Sequence, residues 1–229
     1  MSPAVVIEER LRIPVETHTL AGFRAWALSD AFPETGRIDF LAGDVEVDVS
    51  PEDLHTHGTV KVAITAALHW LVADGDLGEV FVDRTRVSSP AADLSAEPDV
   101  VLILWPSLEQ GRCRYLPATS GSSGRFVEVE GAPDLIVEVV SDSSVGKDTR
   151  RLPPLYARAG VPELWLVDAR GEEPSLRLLS LVKGQYGQVA PEAEGWLASS
   201  VLRRSVRLQR RRTRFGTWRY LLETAPERT

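Results

Sequence analysis

A mixed α/β sandwich is the fold class that this sequence predicts, and three observations predict it. Two apolar runs, Val100-Val101-Leu102-Ile103-Leu104 and Leu135-Ile136-Val137 continuing to Val140, suit strands buried on both faces. One long segment, residues 53–73, repeats apolar side chains at three- and four-residue steps, as an amphipathic helix does. Strands, the long helix, more strands, a short helix and a further strand then follow one another, an order that packs as layers.

Residues 1–36 read as a lead-in packed on the domain, punctuated by Pro14 and Pro33, with a short helix over residues 23–32. Residues 37–49 read as a hairpin: Ile38, Phe40 and Leu41 lead to Gly43, and Val45, Val47 and Val49 then alternate with acids. In the long helix Val60, Ile64, Ala67, Leu68 and Leu71 form the apolar stripe, and Gly75 and Gly78 end it. Strands are expected at 79–82 and 85–87, then at 98–105. Residues 106–125 read as irregular, with Cys113 in a charged loop and Gly121-Ser122-Ser123-Gly124 as a flexible tip. Short strands follow at 126–129 and 134–140. A short helix over 154–159 stops at Gly160, and a strand covers 163–168. A second hairpin spans 175–190. The expected boundaries are therefore a lead-in (1–36), the main domain (37–190) and a basic C-terminal extension (191–229).

Composition excludes several classes. Among 229 residues, 43% are hydrophobic and 26% charged, which is normal for a globular chain and rules out global disorder. A single cysteine, Cys113, cannot build a disulfide framework or a zinc site. The first ten residues lack the basic-then-apolar order of a signal peptide. No apolar run approaches the roughly 20 residues of a membrane span. A cytoplasmic protein with no membrane partner is expected. The net charge of −7 does not favour phosphate binding in general. The tail is the exception: between Val201 and Arg219 it carries eight arginines and no acid. Val206 and Leu208 alternate with arginines there, so a strand with a solvated face and a DNA-backbone contact are both open.

Glu138 is the informative residue. Alternation puts Ile136, Glu138 and Val140 on one face of their strand and Leu135, Val137 and Val139 on the other. A buried carboxylate needs a cation, a basic partner or a proton. Asp99 poses the same problem at the start of its own apolar run. Two carboxylates at the ends of two buried strands invite a divalent cation such as Mg2+, or Mn2+ in its place, which binds oxygen ligands and keeps several waters. Such an ion can activate a water and hold a phosphate oxygen, the minimum for phosphodiester hydrolysis. Each acid also has a bland reading, Asp99 as a Pro-Asp turn and Glu138 as the partner of Arg150 or Arg151. His57 is expected at the start of the long helix in a capping or surface role. No His-Glu-x-x-His and no phosphate loop is present.

Three segments carry a family resemblance. They are Pro98-Asp99, the run from Pro133 through Glu138 to Ser141, and the run from Leu155-Tyr156 through Gly160-Val161-Pro162 to Asp168. Together they resemble the Uma-type family of the PD-(D/E)XK, restriction-endonuclease-like superfamily. Arg37 through Asp44, and Ser50-Pro51 followed by His57-Gly58, resemble two earlier motifs of that family. The similarity covers roughly residues 35–190. It implies a restriction-endonuclease-like mixed central sheet flanked by helices, with additional hairpins, and a Mg2+-dependent endonuclease acting on DNA. It further implies Asp99 and Glu138 as metal ligands, the Val139 carbonyl as a further ligand, and Asp39 as a third acidic contributor through a metal-bound water. A homodimer is compatible with any of these readings.

The chain departs from the pattern at its lysine. The standard position, two residues after the second acid, is Val140. In the family variant a lysine stands four residues before the tyrosine; here that residue is Leu152, although Asp148 sits eight before Tyr156 as the variant has it. Lys147, Arg150 and Arg151 are the candidate substitutes, and Arg151 is taken as the catalytic one. The lost lysine keeps two alternatives in view, a non-catalytic nucleic-acid-binding or protein-interaction module and a purely structural dimer.

Overall fold

The computed structural model describes residues 12–119 and 124–226. In chain order its elements are α1 (Leu20–Ala27), β1 (Arg37–Leu41), β2 (Asp44–Asp48), α2 (Thr59–Ala73), β3 (Gly78–Val82), β4 (Arg86–Ser89), β5 (Leu94–Ala96) and β6 (Val100–Leu104). There follow α3 (Trp105–Glu109), β7 (Cys113–Pro117), β8 (Phe126–Gly131), β9 (Leu135–Val139), α4 (Leu152–Ala159), β10 (Glu163–Asp168), β11 (Ser175–Val182) and β12 (Gln185–Gln188). The last three are β13 (Leu197–Ser199), β14 (Arg204–Arg212) and β15 (Trp218–Pro226).

Two six-stranded mixed sheets form the body, ordered β2-β1-β5-β4-β8-β7 and β12-β11-β10-β9-β6-β3. Each contains one parallel pair, β4/β8 and β9/β10. The β9–α4–β10 crossover explains the second, because parallel neighbours need a long connection. Alternation along β6 and β9 divides the core. Val101, Ile103 and Ile136 pack toward the first sheet and α4, with Leu94, Val87, Leu155 and Tyr156. Val100, Leu102, Leu135, Val137 and Val139 pack toward α2 and the C-terminal sheet β13-β14-β15. The α2 stripe is Val60, Ile64, Leu68 and Val72, all essentially inaccessible. Val206, Tyr220 and Leu222 join the same cluster, so the C-terminal sheet completes the core on that side.

Several expectations are corrected. The first helix sits earlier, over Leu20–Ala27, because Thr19 caps it by accepting from the Gly22 N–H. A wide π turn, Leu54–Gly58, precedes α2, and Asp53 caps it by accepting from the N–H groups of His55 and Thr56. Residues 106–125 are not irregular throughout: they hold α3 and the edge strand β7. Pro117 ends β7 where its register against β8 shifts, as suits a residue with no N–H to give a ladder. Cys113 therefore lies in a strand, buried, and burial pushes its thiol up to about 11. The turn Lys147–Arg151 is also a π turn and leads directly into α4. Pro153 and Pro154 sit in the first turn of α4, just after this π turn, and have no N–H to give the preceding turn. Most of the expected tip at 121–124 lies outside the described residues.

Gly131 joins β8 to the β9 approach at φ +113, opposite Cys113. A Cβ there would lie 2.3 Å from the Arg112 carbonyl oxygen. Gly131→Ala is expected to destabilise the fold by about 1–3 kcal/mol, lowering the thermal midpoint by roughly 2–4 °C per kcal/mol. An unchanged midpoint refutes the close approach of β7 and β8.

Candidate active site

Register brings the two predicted acids together. β6 and β9 are antiparallel, with Val100 opposite Val137. One step outward, Asp99 and Glu138 take opposing positions, and opposing residues of an antiparallel pair project to the same face. That face is the one carrying Val101 and Ile136, directed at the first sheet. Both acids are sealed from solvent, Asp99 at 0% and Glu138 at 1% exposure. The Val139 N–H donates to Asp99 Oδ2 at 2.7 Å, so the Val139 backbone is part of this cluster.

The two acids have opposite environments. Arg37, at the start of β1, donates to Asp99 Oδ1 at 2.7 Å, and His57 Nε2 lies 3.4 Å from Asp99 Oδ2. Burial alone would push Asp99 up. The His57 hydrogen bond and the Arg37 charge overcome it and hold the carboxyl well below the usual range. Among the described residues, Glu138 receives one hydrogen bond, from the Tyr156 hydroxyl at 2.6 Å, and its buried Oε2 has no partner. Burial, then the charges of Asp148 and Asp99, push Glu138 well above its ordinary 4.5, and Lys147 and Arg37 offset this only in part. Asp148 accepts from the Ser144 hydroxyl, but its buried Oδ1 has no partner among the described residues, and burial is the largest reason its carboxyl rises to about 6.

Asp39 comes from β1 in the facing sheet. Its Oδ1 accepts from the Glu97 N–H at 2.9 Å and its Oδ2 from Lys147 Nζ at 2.8 Å. Burial works against the charge on Lys147, but Asp39 and Glu138 prevail, so the ammonium stays protonated above its usual range. Arg151 lies farther out. It lines the same cavity of about 490 Å³ as Arg37, Asp39 and Lys147, but its guanidinium is taken by Asp44 at 3.0 Å and by Glu46. Of the two candidate substitutes for the family lysine that line this cavity, Lys147 joins Arg37 at the acid cluster and Arg151 does not. His57 is not on the surface: it is 5% exposed, wedged between Glu52 and Asp99, and raised above its ordinary range by Asp99 despite burial.

Arg37, Asp148 and Tyr156 had no assigned role in the sequence reading, yet each had a signal. Arg37 is two residues before Asp39 and shares its strand face. Asp148, Leu152, Leu155 and Tyr156 fall at i, i+4, i+7 and i+8, one helical stripe, which puts Asp148 on the buried side.

A divalent ion fits this donor chemistry. The free oxygens of Glu138 and Asp148 are hard ligands, and burial first, with the like charge of Asp99 added, raises their proton affinity. Among the described residues, no three His, Cys, Asp or Glu side chains are placed to hold a metal ion together. An ion here would rely on two carboxylates, backbone oxygen and water, as Mg2+ commonly does. Among the described residues no helix is long and apolar enough to cross a membrane.

No protein of curated function matches the chain. Among solved structures, one from Anabaena variabilis, described as a "putative nuclease belonging to DUF820", superposes with a TM-score of 0.59 at 15% identity, covering 80% of this chain and 90% of that one. At that identity the likeness speaks for the fold. The family model Uma2, described as "Putative restriction endonuclease", matches residues 20–210 and so takes in Arg37, Asp39, Asp99, Glu138 and Tyr156. This chain belongs to the Uma2 family and has a restriction-endonuclease-like fold.

Proposed function

We propose that the chain is a divalent-metal-dependent endonuclease that hydrolyses phosphodiester bonds in DNA. Asp99 and Glu138 would hold Mg2+ or Mn2+, Asp99 exchanging one of the contacts it now makes with Arg37, His57 and the Val139 N–H for the ion, with the Val139 carbonyl as a further ligand and Asp39 contributing through water. The observation that carries this reading is the opposed, fully buried Asp99–Glu138 pair with a partnerless oxygen on Glu138. When bound, the ion supplies Lewis-acid polarisation of a phosphate oxygen and a water of lowered pKa. The chain's own groups do the rest. Arg37 and His57 keep Asp99 ionised, Tyr156 orients Glu138, and Lys147 presents a fixed positive charge at the mouth of the site. Lys147 thereby fills the place left by Val140 and Leu152 as the cation that offsets charge developing on the phosphate.

The test is calorimetric titration of Mn2+ together with cleavage of supercoiled DNA in the same ion. Both are expected in the wild type and both are lost in Asp99→Asn, which keeps the side-chain volume. Ligation displaces protons, and Asp148 holds one up to about pH 6. Mn2+ affinity is therefore expected to rise with pH, through pH 6 and beyond, because Glu138 is also held protonated above its ordinary range by burial and by the charges of Asp148 and Asp99. Cleavage that survives Asp99→Asn and Glu138→Ala rejects the site. Duplex binding without Mn2+ binding at millimolar ion favours the non-catalytic module that the missing family lysine suggests.

A further inference from the structure

β14 and β15 form a long two-stranded arm whose tip lies beyond residue 210, where the family match ends. Its inner face is fixed to the body by Val206, Tyr220 and Leu222. Toward the tip that face continues with Arg210 and Arg212, whose guanidinium carbons lie 3.8 and 3.7 Å from the Trp218 ring centroid. The outer face changes character along its length. At the inner end Arg207 faces Glu223 across the strands and pairs with it at 2.7 Å. Four residues farther out, Arg211 faces Arg219. Both are exposed, and no acid pairs with either among the described residues. Like charges directly opposite destabilise a hairpin, so an anion held between these two would relieve their repulsion. Arg214 and the 79%-exposed Phe215 extend the patch, and with Arg211 and Arg219 they line a groove of about 740 Å³.

The arm also reaches the end of the sheet that carries the acids, from the α2 face opposite to theirs. Its Arg210 Nη1 donates to the Gly171 carbonyl at 3.2 Å, in the loop leaving β10. In that loop Arg170 pairs at 2.8 Å with Asp142, in the loop leaving β9. β9 and β10 are parallel, so both loops leave the end of the sheet that carries Glu138. At the arm's other end, Pro226 and Arg204 share a cavity with Leu71 and Val72 at the C-terminal end of α2. The opposite end of α2 is the one beside His57.

From this we infer that the arm tip is a second nucleic-acid contact, in which Arg211 and Arg219 straddle backbone phosphates of a duplex presented to the Asp99–Glu138 end of the molecule. The choice of DNA as the polyanion rests on the proposed nuclease reading; the unneutralised arginine pair does not.

Fluorescence anisotropy with a labelled duplex of about two helical turns, in EDTA and across a salt series, tests it. Each phosphate contact contributes about 0.9 to the slope of log affinity against log salt. The Arg211→Gln, Arg219→Gln double variant is expected to bind about ten- to a hundredfold more weakly at low salt and to lose about 2 from that slope. A double variant indistinguishable from wild type in both, while wild type cleaves DNA in Mn2+, overturns the arm contact and leaves the nuclease reading intact. Loss of affinity in the double variant with no cleavage by wild type sinks the nuclease reading and supports the arm. Wild type that binds no duplex at low salt overturns the arm contact outright.

Discussion

Glu138→Gln is expected to melt at a higher temperature than wild type in metal-free buffer at pH 8, and to cleave no DNA. The side chain is 1% exposed, one of its oxygens has no partner among the described residues, and Asp148 and Asp99 add like charge to the penalty of burial. An unsatisfied buried polar atom costs about 1–3 kcal/mol and a charged one more, so the neutral isostere is expected to recover at least about 1 kcal/mol. The direction with pH follows from linkage. The folded-state pKa of Glu138 lies above its ordinary 4.5. Below pH 4.5 the acid is protonated in both states and the two proteins differ little. As pH rises past 4.5 the unfolded chain sheds this proton first, and wild type loses stability relative to the glutamine variant. Divalent metal reverses the order, since a ligand that binds only the folded state stabilises it by mass action. Millimolar Mn2+ is therefore expected to raise the wild-type midpoint and leave that of Glu138→Gln unmoved. Losing a direct ligand should reduce metal affinity by more than the roughly 10–100-fold typical of outer-shell partners. Calorimetric melting with and without Mn2+ reads both effects. A glutamine variant that is less stable than wild type at pH 8 without metal, or that gains equally from Mn2+, shows that Glu138 is not a strained ligand.

The acid pair was legible in the sequence because strand alternation is strict. Once Leu135 to Val140 and Val100 to Leu104 read as doubly buried strands, a carboxylate within or at the end of each had to be a buried charge, whatever the topology. The helix α2 and the strand β10 were legible for the same reason, a sustained period or a sustained apolar run. β5 was missed because three residues, Leu94-Ser95-Ala96, are too few to display a period. β7 was missed because an edge strand, half exposed and ended by proline, carries no clear apolar alternation. The position of the basic partner was not legible because of helix geometry. Pro153 and Pro154 cannot donate to the carbonyls of Thr149 and Arg150. The chain answers with a π turn at Lys147–Arg151, in which the Leu152 N–H reaches back to the Lys147 carbonyl. A π turn advances side chains differently from an α turn, and here it aims Lys147 at Asp39 and Arg151 outward at β2. Ordinary helical spacing could not have separated them.

That separation yields the second large effect. Lys147→Met is expected to lower the rate of cleavage by about 10²–10³, the range for removing one preorganised charge that acts on developing negative charge. Arg151→Ala should stay within a few-fold of wild type, since its guanidinium is already engaged by Asp44 and Glu46 at a 40%-exposed position. A loss of rate in Lys147→Met could reflect damage to the fold, because Asp39 is 2% exposed and would keep only the Glu97 N–H as a partner. Metal affinity separates the two causes. Lys147 acts electrostatically on Glu138, so its ammonium competes with a divalent cation for the same negative field. Removing it should tighten Mn2+ binding while slowing cleavage, whereas a damaged site would lose both. Adding Asp39→Asn to Lys147→Met removes the stranded charge and should restore the thermal midpoint without restoring the rate. Equal losses in Lys147→Met and Arg151→Ala, or weaker Mn2+ binding in Lys147→Met, would remove Lys147 from the role and return the question to which cation faces the phosphate.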